Sequence, residues 1–147
     1  MHNLLRNVKI TRVSSGLSAS TTDHNCTAVD MRGFEGVAFV ASFGALTTAA
    51  VTFMKGQEAT SSGATYSDLL GTAVNVDDQG SDLVALLDIF RPKDRWVRAV
   101  IDRGTANAVV DSVVAMQYRA LDAAVTHSTA TVYAAEYYVS PATGDAT

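Results

Sequence analysis

Cysteine is nearly absent from this chain, and the single residue, Cys26, excludes an intrachain disulfide. Cys26 sits in an apolar stretch with only His24 nearby as a base, so it reads as a small buried hydrophobe rather than a reactive thiol. Charge is also scarce: 18% of residues are charged against 48% hydrophobic. So few charges on a folded chain of 147 residues suggest that a partner covers part of the surface. The net charge of −4 gives no drive toward nucleic acid or an anionic membrane. No apolar run reaches the ~18 residues of a membrane span. The first residues, Met1 to Arg6, form a short arm without the apolar core of a signal peptide. The expectation is a chain made in a cytoplasm and not exported through a signal peptide.

Recognisable chemistry is missing as well. No Gly-rich loop opens a helix, so nucleotide binding has no local support. No serine lies in a Gly-x-Ser-x-Gly elbow. His2, His24 and His127 are far apart, in polar or terminal segments. His24, within Asp23-His24-Asn25, has no second ligand at metal spacing and reads as a solvated loop histidine. Asp77, Asp78 and Asp82 lack a calcium-loop pattern and fit a turn between strands. These absences argue against an enzyme and lead to an expectation of no metal and no cofactor.

What is present is a rhythm of short apolar, β-branched runs separated by Gly, Asp, Asn and Ser. Such spacing predicts an all-β antiparallel sandwich or barrel in one domain. Strands are expected at 7–13, 26–31, 37–43, 49–55, 72–76, 82–91, 96–103 and 108–118. The segments 14–25 and 56–65 read as loops, and 66–70 as a possible turn of helix. In 37–43, Val37, Phe39, Ala41 and Phe43 share a face. The other face, with Ala38 and Val40, is also largely apolar, so the strand is expected to be central or covered by a neighbour. In 96–103, Val97, Ala99 and Ile101 oppose Arg98 and Asp102. In 108–118, Val110, Val114, Met116 and Tyr118 are expected on one face. A helix over 111–121 is the alternative there, but its valines favour strand.

Two features stand out as contact candidates. Arg91, Lys93 and Arg95 begin the only basic concentration, continued by Arg98 and Arg103. Interspersed Asp94 and Asp102 make it a poor nucleic-acid patch but a plausible rim for an acidic partner; a solvated connection is the plainer reading. Near the C-terminus, 122–127 reads as a linker, 129–139 carries Tyr133, Tyr137 and Tyr138, and 140–147 is a polar tail. The stretch 129–139 reads either as a final strand of the same sheet or as an arm added to a neighbouring subunit. The division is thus a sandwich domain over 1–121 and an arm or final strand with its tail over 122–147.

Three stretches carry a resemblance. They are 23–44 (Asp-His-Asn-Cys-Thr-Ala-Val-Asp-Met-Arg-Gly-Phe-Glu-Gly-Val-Ala-Phe-Val-Ala-Ser-Phe-Gly), 88–100 (Asp-Ile-Phe-Arg-Pro-Lys-Asp-Arg-Trp-Val-Arg-Ala-Val) and 103–118 (Arg-Gly-Thr-Ala-Asn-Ala-Val-Val-Asp-Ser-Val-Val-Ala-Met-Gln-Tyr). Over 8–118 the chain resembles the capsid decoration, or cement, proteins of tailed bacteriophages. The resemblance implies a jelly-roll-like sandwich; the extended N-terminal segment and the C-terminal arm come from the reading of residues 1–6 and 122–147 and lie outside it. It implies a place on the outer capsid, self-association as a trimer more than a dimer, and the major capsid protein as partner. It brings no catalytic residues. A head–tail joining or tail protein is the alternative within the virion. A carbohydrate-binding sandwich is the alternative outside it, resting on Trp96 and exposed tyrosines.

Overall fold

The computed structural model describes residues 3–122 and 124–138. His2 and the polar tail lie outside the described residues. Eleven strands follow one helical turn, α1 (Leu4–Asn7): β1 (Lys9–Ser14), β2 (Leu17–Ser20), β3 (His24–Asn25), β4 (Val29–Asp30), β5 (Phe34–Leu46), β6 (Thr52–Ala59), β7 (Ser67–Asp68), β8 (Val74–Val76), β9 (Val84–Phe90), β10 (Trp96–Asp102) and β11 (Ala108–Ala120).

The strands form two antiparallel sheets. One has the order β1-β11-β5-β9, with β2 also on β11; the other has β3-β10-β6-β7, with β4 on β10 and β8 on β6. β1 and β2 are successive pieces of one broken strand along β11. β3 and β4 do the same along β10, and β7 and β8 along β6. With each broken strand taken as one row, the sheets run 1-8-3-6 and 2-7-4-5 in chain order. That is the jelly roll, two Greek keys folded face to face. The sheets stay separate with open edges, so the sandwich reading holds and the barrel does not.

The core lies between the two sheets. Val37, Phe39, Ala41 and Phe43 of β5 point inward and are fully buried, as their alternation predicts. They meet Met54 of β6 and Val97, Ala99 and Ile101 of β10 in one cluster. Buried Gln117 of β11 crosses between the sheets, its Nε2 donating to Asp30 O of β4 at 2.7 Å.

Several expectations change. The N-terminal arm winds into α1, capped by the Asn3 side chain, which accepts from Arg6 N. The loop 14–25 contains β2 and β3. The strand expected at 26–31 shrinks to Val29–Asp30, because the chain turns aside at Cys26 and Thr27. There Cys26 N donates to Ala99 O in one sheet and Thr27 N to Val13 O in the other. The strand expected at 49–55 starts later and continues through Gly56 to Ala59. Gly56 permits this because any Cβ there would come within 2.6 Å of Ile89. Residues 66–70 contribute the short β7 rather than a helical turn. Among the described residues no third layer covers the outer face of β5; its small side chains sit half-buried between β11 and β9.

β11 breaks its own alternation. Ala108 and Val110 are buried, and then Val113, Ala115 and Gln117. The register shifts on the two sides of Val110 place one extra residue in β5 between Phe43 and Leu46 and one in β11 between Val110 and Ser112, so the inward face reverses in both strands. Val110 therefore points into the core while Val114, Met116 and Tyr118 point outward, which corrects the expected shared face. The ladder with β5 rules out the helical alternative.

The final-strand reading of 129–139 fails over its described part: β11 ends at Ala120 and residues 129–138 join no sheet. Arg103 is no solvated rim residue either. It is buried, with Nε donating to Thr22 O at 2.6 Å and Nη1 to Ser18 O at 2.8 Å and Ala108 O at 3.3 Å. It clamps the β2–β3 connection to the start of β11. Replacing Arg103 by Met leaves these carbonyls without that donor. The expected loss is about 3 kcal/mol of stability, read from the urea midpoint; an unchanged midpoint would show that the clamp is idle.

Candidate interaction surface

The basic loop links β9 to β10. Arg91 leaves β9 with φ of 53°, and its N–H donates to Glu35 O at 2.7 Å. The carboxylate of Glu58 then accepts from Lys93 N at 3.0 Å and Asp94 N at 3.2 Å. Arg95 grips Asp30 with two bonds, Nε to Oδ1 at 2.8 Å and Nη2 to Oδ2 at 2.6 Å. Arg32 stands 3.7 Å from the same carboxylate. Glu35 is shared by Arg91 at 3.5 Å and Arg119 at 2.6 Å. The Arg119 contact is close but poorly aligned, so Glu35 Oε2 accepts no well-formed hydrogen bond.

The expected basic rim is therefore partly paired: Asp30 and Glu35 are each shared by two arginines, which leaves an excess of positive charge. Exposed pairs of this kind each stabilise by at most about 1 kcal/mol. Among the described residues the Lys93 ammonium has no ion-pair partner. The loop borders an open basin of about 710 Å³, where Met31, Phe34, Pro92 and Leu121 supply apolar wall.

Beside the basin lies an aromatic platform. Phe90 and Tyr118 stack with ring centres 6.5 Å apart and planes 5° from parallel. The guanidinium groups of Arg91 and Arg119 lie over Phe90 at 5.1 and 5.7 Å, within cation–π range. Both arginines have left-handed backbones, with φ of 53° and 52°. Such strain costs of order 1–3 kcal/mol per residue and persists where the surroundings over-determine it. The Tyr118 hydroxyl donates to Asp88 Oδ1 at 2.7 Å. Burial, and then the bonded Asp88 carboxylate, push its pKa up to about 12. Its ring occupies the space above Gly36, where a side chain would collide with it.

The platform continues into an apolar sheet face. Val84, Leu86 and Phe90 of β9 are 62%, 63% and 49% exposed, while Ala85, Leu87 and Ile89 between them are buried. Leu86 pairs with Val40, which pairs with Val114; Asp88 pairs with Ala38, which pairs with Met116. Outward apolar side chains thus run across three strands, a patch of the kind that marks an interface. Sequence reasoning missed this surface. Its signal was the near-continuous apolar run of 82–91, which reads equally well as a strand buried on both faces.

Tyr133, Tyr137 and Tyr138 are exposed, at 102%, 55% and 69%. No hydrogen bond, ion pair or ring contact among the described residues joins them to the basic loop. The segment before them is pinned along α1 and β1. Val125 N donates to Arg6 O at 3.0 Å, Ile10 N donates to His127 Nδ1 at 3.3 Å, and His127 Nε2 lies 3.0 Å from Leu5 O. His127 is a structural staple rather than a solvated residue.

The chemistry remains sparse. Burial raises Cys26 to about 12, which keeps its thiol protonated. Among the described residues no group of three His, Cys, Asp or Glu could hold a metal, and no helix is long and apolar enough to cross a membrane. Ser14 Oγ and His24 Nε2 are 3.0 Å apart, but Ser14 is also bonded to Ser15 O, and the neighbouring Asp23 carboxylate accepts from Arg103 N. This is a satisfied polar contact on a half-buried histidine, which corrects the solvated-loop reading. Trp96 is half-buried with the Arg95 guanidinium 5.6 Å from its ring centre, a poor sugar platform. Comparison with protein-family models and with curated proteins finds no match.

Burial, and secondly the charge of Arg103, hold the pKa of His24 below 6.5. The unfolded chain therefore takes up the proton first. The stability that depends on neutral His24 is complete above pH 6.5 and lost as pH falls through the folded pKa. Urea midpoints are expected to fall between about pH 7.5 and about pH 5, and His24→Gln to flatten that slope. An identical slope in the variant would assign the effect to other groups.

Proposed function

We propose that this chain is a structural virion protein that binds the outer surface of a phage capsid and stabilises the expanded shell by bridging neighbouring capsid subunits. Its partners are the major capsid protein and further copies of itself, as a trimer rather than a dimer. It is made in the bacterial host cytoplasm and ends on the virion surface. It performs no catalysis.

The observation that carries this reading is the outward apolar face of Val84, Leu86 and Phe90, set beside Lys93 and the paired arginines on a rigid jelly roll. Apolar area with a polar rim is the make-up of a protein-binding surface. Jelly rolls serve in capsids and in lectins alike, so the fold alone does not choose. The likeness of 23–44, 88–100 and 103–118 to decoration proteins favours the capsid. Contacts made only with the expanded shell stabilise that shell by linkage. Repetition of the contacts over a symmetric lattice holds firmly even when each is weak.

The test is co-sedimentation of the purified protein with expanded, undecorated capsids of its own virus. Saturation in proportion to capsomer junctions is expected. Binding as one ring at a single vertex would move the protein to the neck, and absence of binding would end the capsid reading. Lys93→Glu, which breaks no described ion pair, is expected to weaken capsid binding about tenfold while leaving the thermal midpoint in place.

A further inference from the structure

Among the described residues β9 pairs with β5 on one side only, so its other edge offers unpaired backbone groups. Two open grooves flank that edge. One, about 510 Å³, lies between Val84–Leu86 and the residues of β8; the other, about 450 Å³, lies between Asp88–Phe90 and Leu69, Leu70 and Thr72. The edge carries few guards: Asp88 is the only charge within β9, and the strand holds neither lysine nor proline. A free edge with side-chain pockets beside it suits an extended peptide that adds as a strand.

The same chain carries an unpartnered segment of matching character. From Tyr133 to Tyr138 (Tyr-Ala-Ala-Glu-Tyr-Tyr) every residue is exposed, and no hydrogen bond joins the segment to the rest of the described chain. Three tyrosines give it strand propensity. Extended, its six residues span roughly 20 Å, against roughly 23 Å for the seven of β9. Its one charge, Glu136, is opposite in sign to Arg91 and Lys93, which follow β9. Val125 and His127 pin its root beside β1, and β1 and β9 are opposite edges of one sheet.

We propose that residues 133–138 of one copy add as a strand to the free edge of β9 in a second copy. Donor and acceptor lie on opposite edges, so the contact is heterologous and propagates from copy to copy until a ring closes. This deepens the self-association named above and needs no capsid. It is therefore tested on purified protein alone, and its failure is separate from a failure to bind shells.

The experiment uses two full-length variants and sedimentation velocity. Leu86→Lys spoils the acceptor edge, and Tyr133→Asp with Tyr137→Asp spoils the donor. All three positions are exposed, so both variants are expected to keep the wild-type thermal midpoint; Val84→Lys replaces the first if it does not. Wild type is expected to assemble. Each variant alone is expected to weaken assembly at least about tenfold. Mixed, they are expected to form a one-to-one dimer, because one supplies an intact donor and the other an intact edge. A monomeric wild type overturns the proposal. So does a donor variant that still assembles, which would point to a symmetric sheet-face contact. Failure of the mixture to dimerise overturns it as well.

Discussion

The ladder between β5 and β11 is the constraint on which the rest of the structure depends. Its register runs from Phe34 opposite Ala120 to Leu46 opposite Ala108, through the middle of one sheet. It sets Val37, Phe39, Ala41 and Phe43 against the other sheet on one side. On the other side it aligns Val40 with Val114 and Ala38 with Met116 as outward rows. A one-residue slip would exchange the two faces. The paired irregularities around Phe43 and Val110 are the exception within this ladder, and they let both strands serve the core at both ends.

That rigid centre allows strain and apolar exposure at the periphery. Arg91, just past β9, and Arg119, the penultimate residue of β11, both have left-handed backbones and converge on the Glu35 carboxylate and the Phe90 ring. Each conformation is unfavourable by itself. The shared carboxylate, the ring and the backbone bond to Glu35 O offset that cost together. The result is a fixed cationic–aromatic corner where the exposed face of β9 meets the basin. A surface set this firmly loses little side-chain freedom when a partner arrives, which favours binding.

Low charge, an exposed sheet face and an unbonded tyrosine segment have a common physical meaning. Apolar area left in water is unfavourable, and a chain that keeps it gains by covering it. A decoration protein would cover it with shell subunits and with its own copies. The shared pairs of Asp30 and Glu35 with Arg32, Arg91, Arg95 and Arg119 would add specificity more than affinity, because most of these charges already have a partner.

Much of the fold was legible in the residues. The period-two alternation of Val37 to Phe43 and of Val97 to Ile101 marks strands and their inner faces, because a strand side chain has only two directions to choose from. Turn residues such as Asp77 and Gly104 marked the chain reversals, because their local bonding or left-handed backbone is a property of a few residues. Local patterning could not reveal the bulge at Val110, the burial of Arg103 or the exposure of Leu86. A bulge is a mismatch between two strands distant in sequence. Arg103 is buried because carbonyls from Ser18, Thr22 and Ala108 converge on it. Leu86 is exposed because β9 falls at the edge of its sheet and no layer of the described residues covers that face. The sequence by itself determined which segments are strands and which side chains can be buried. Only the tertiary structure decided which apolar faces are buried, since a face is buried by what packs against it.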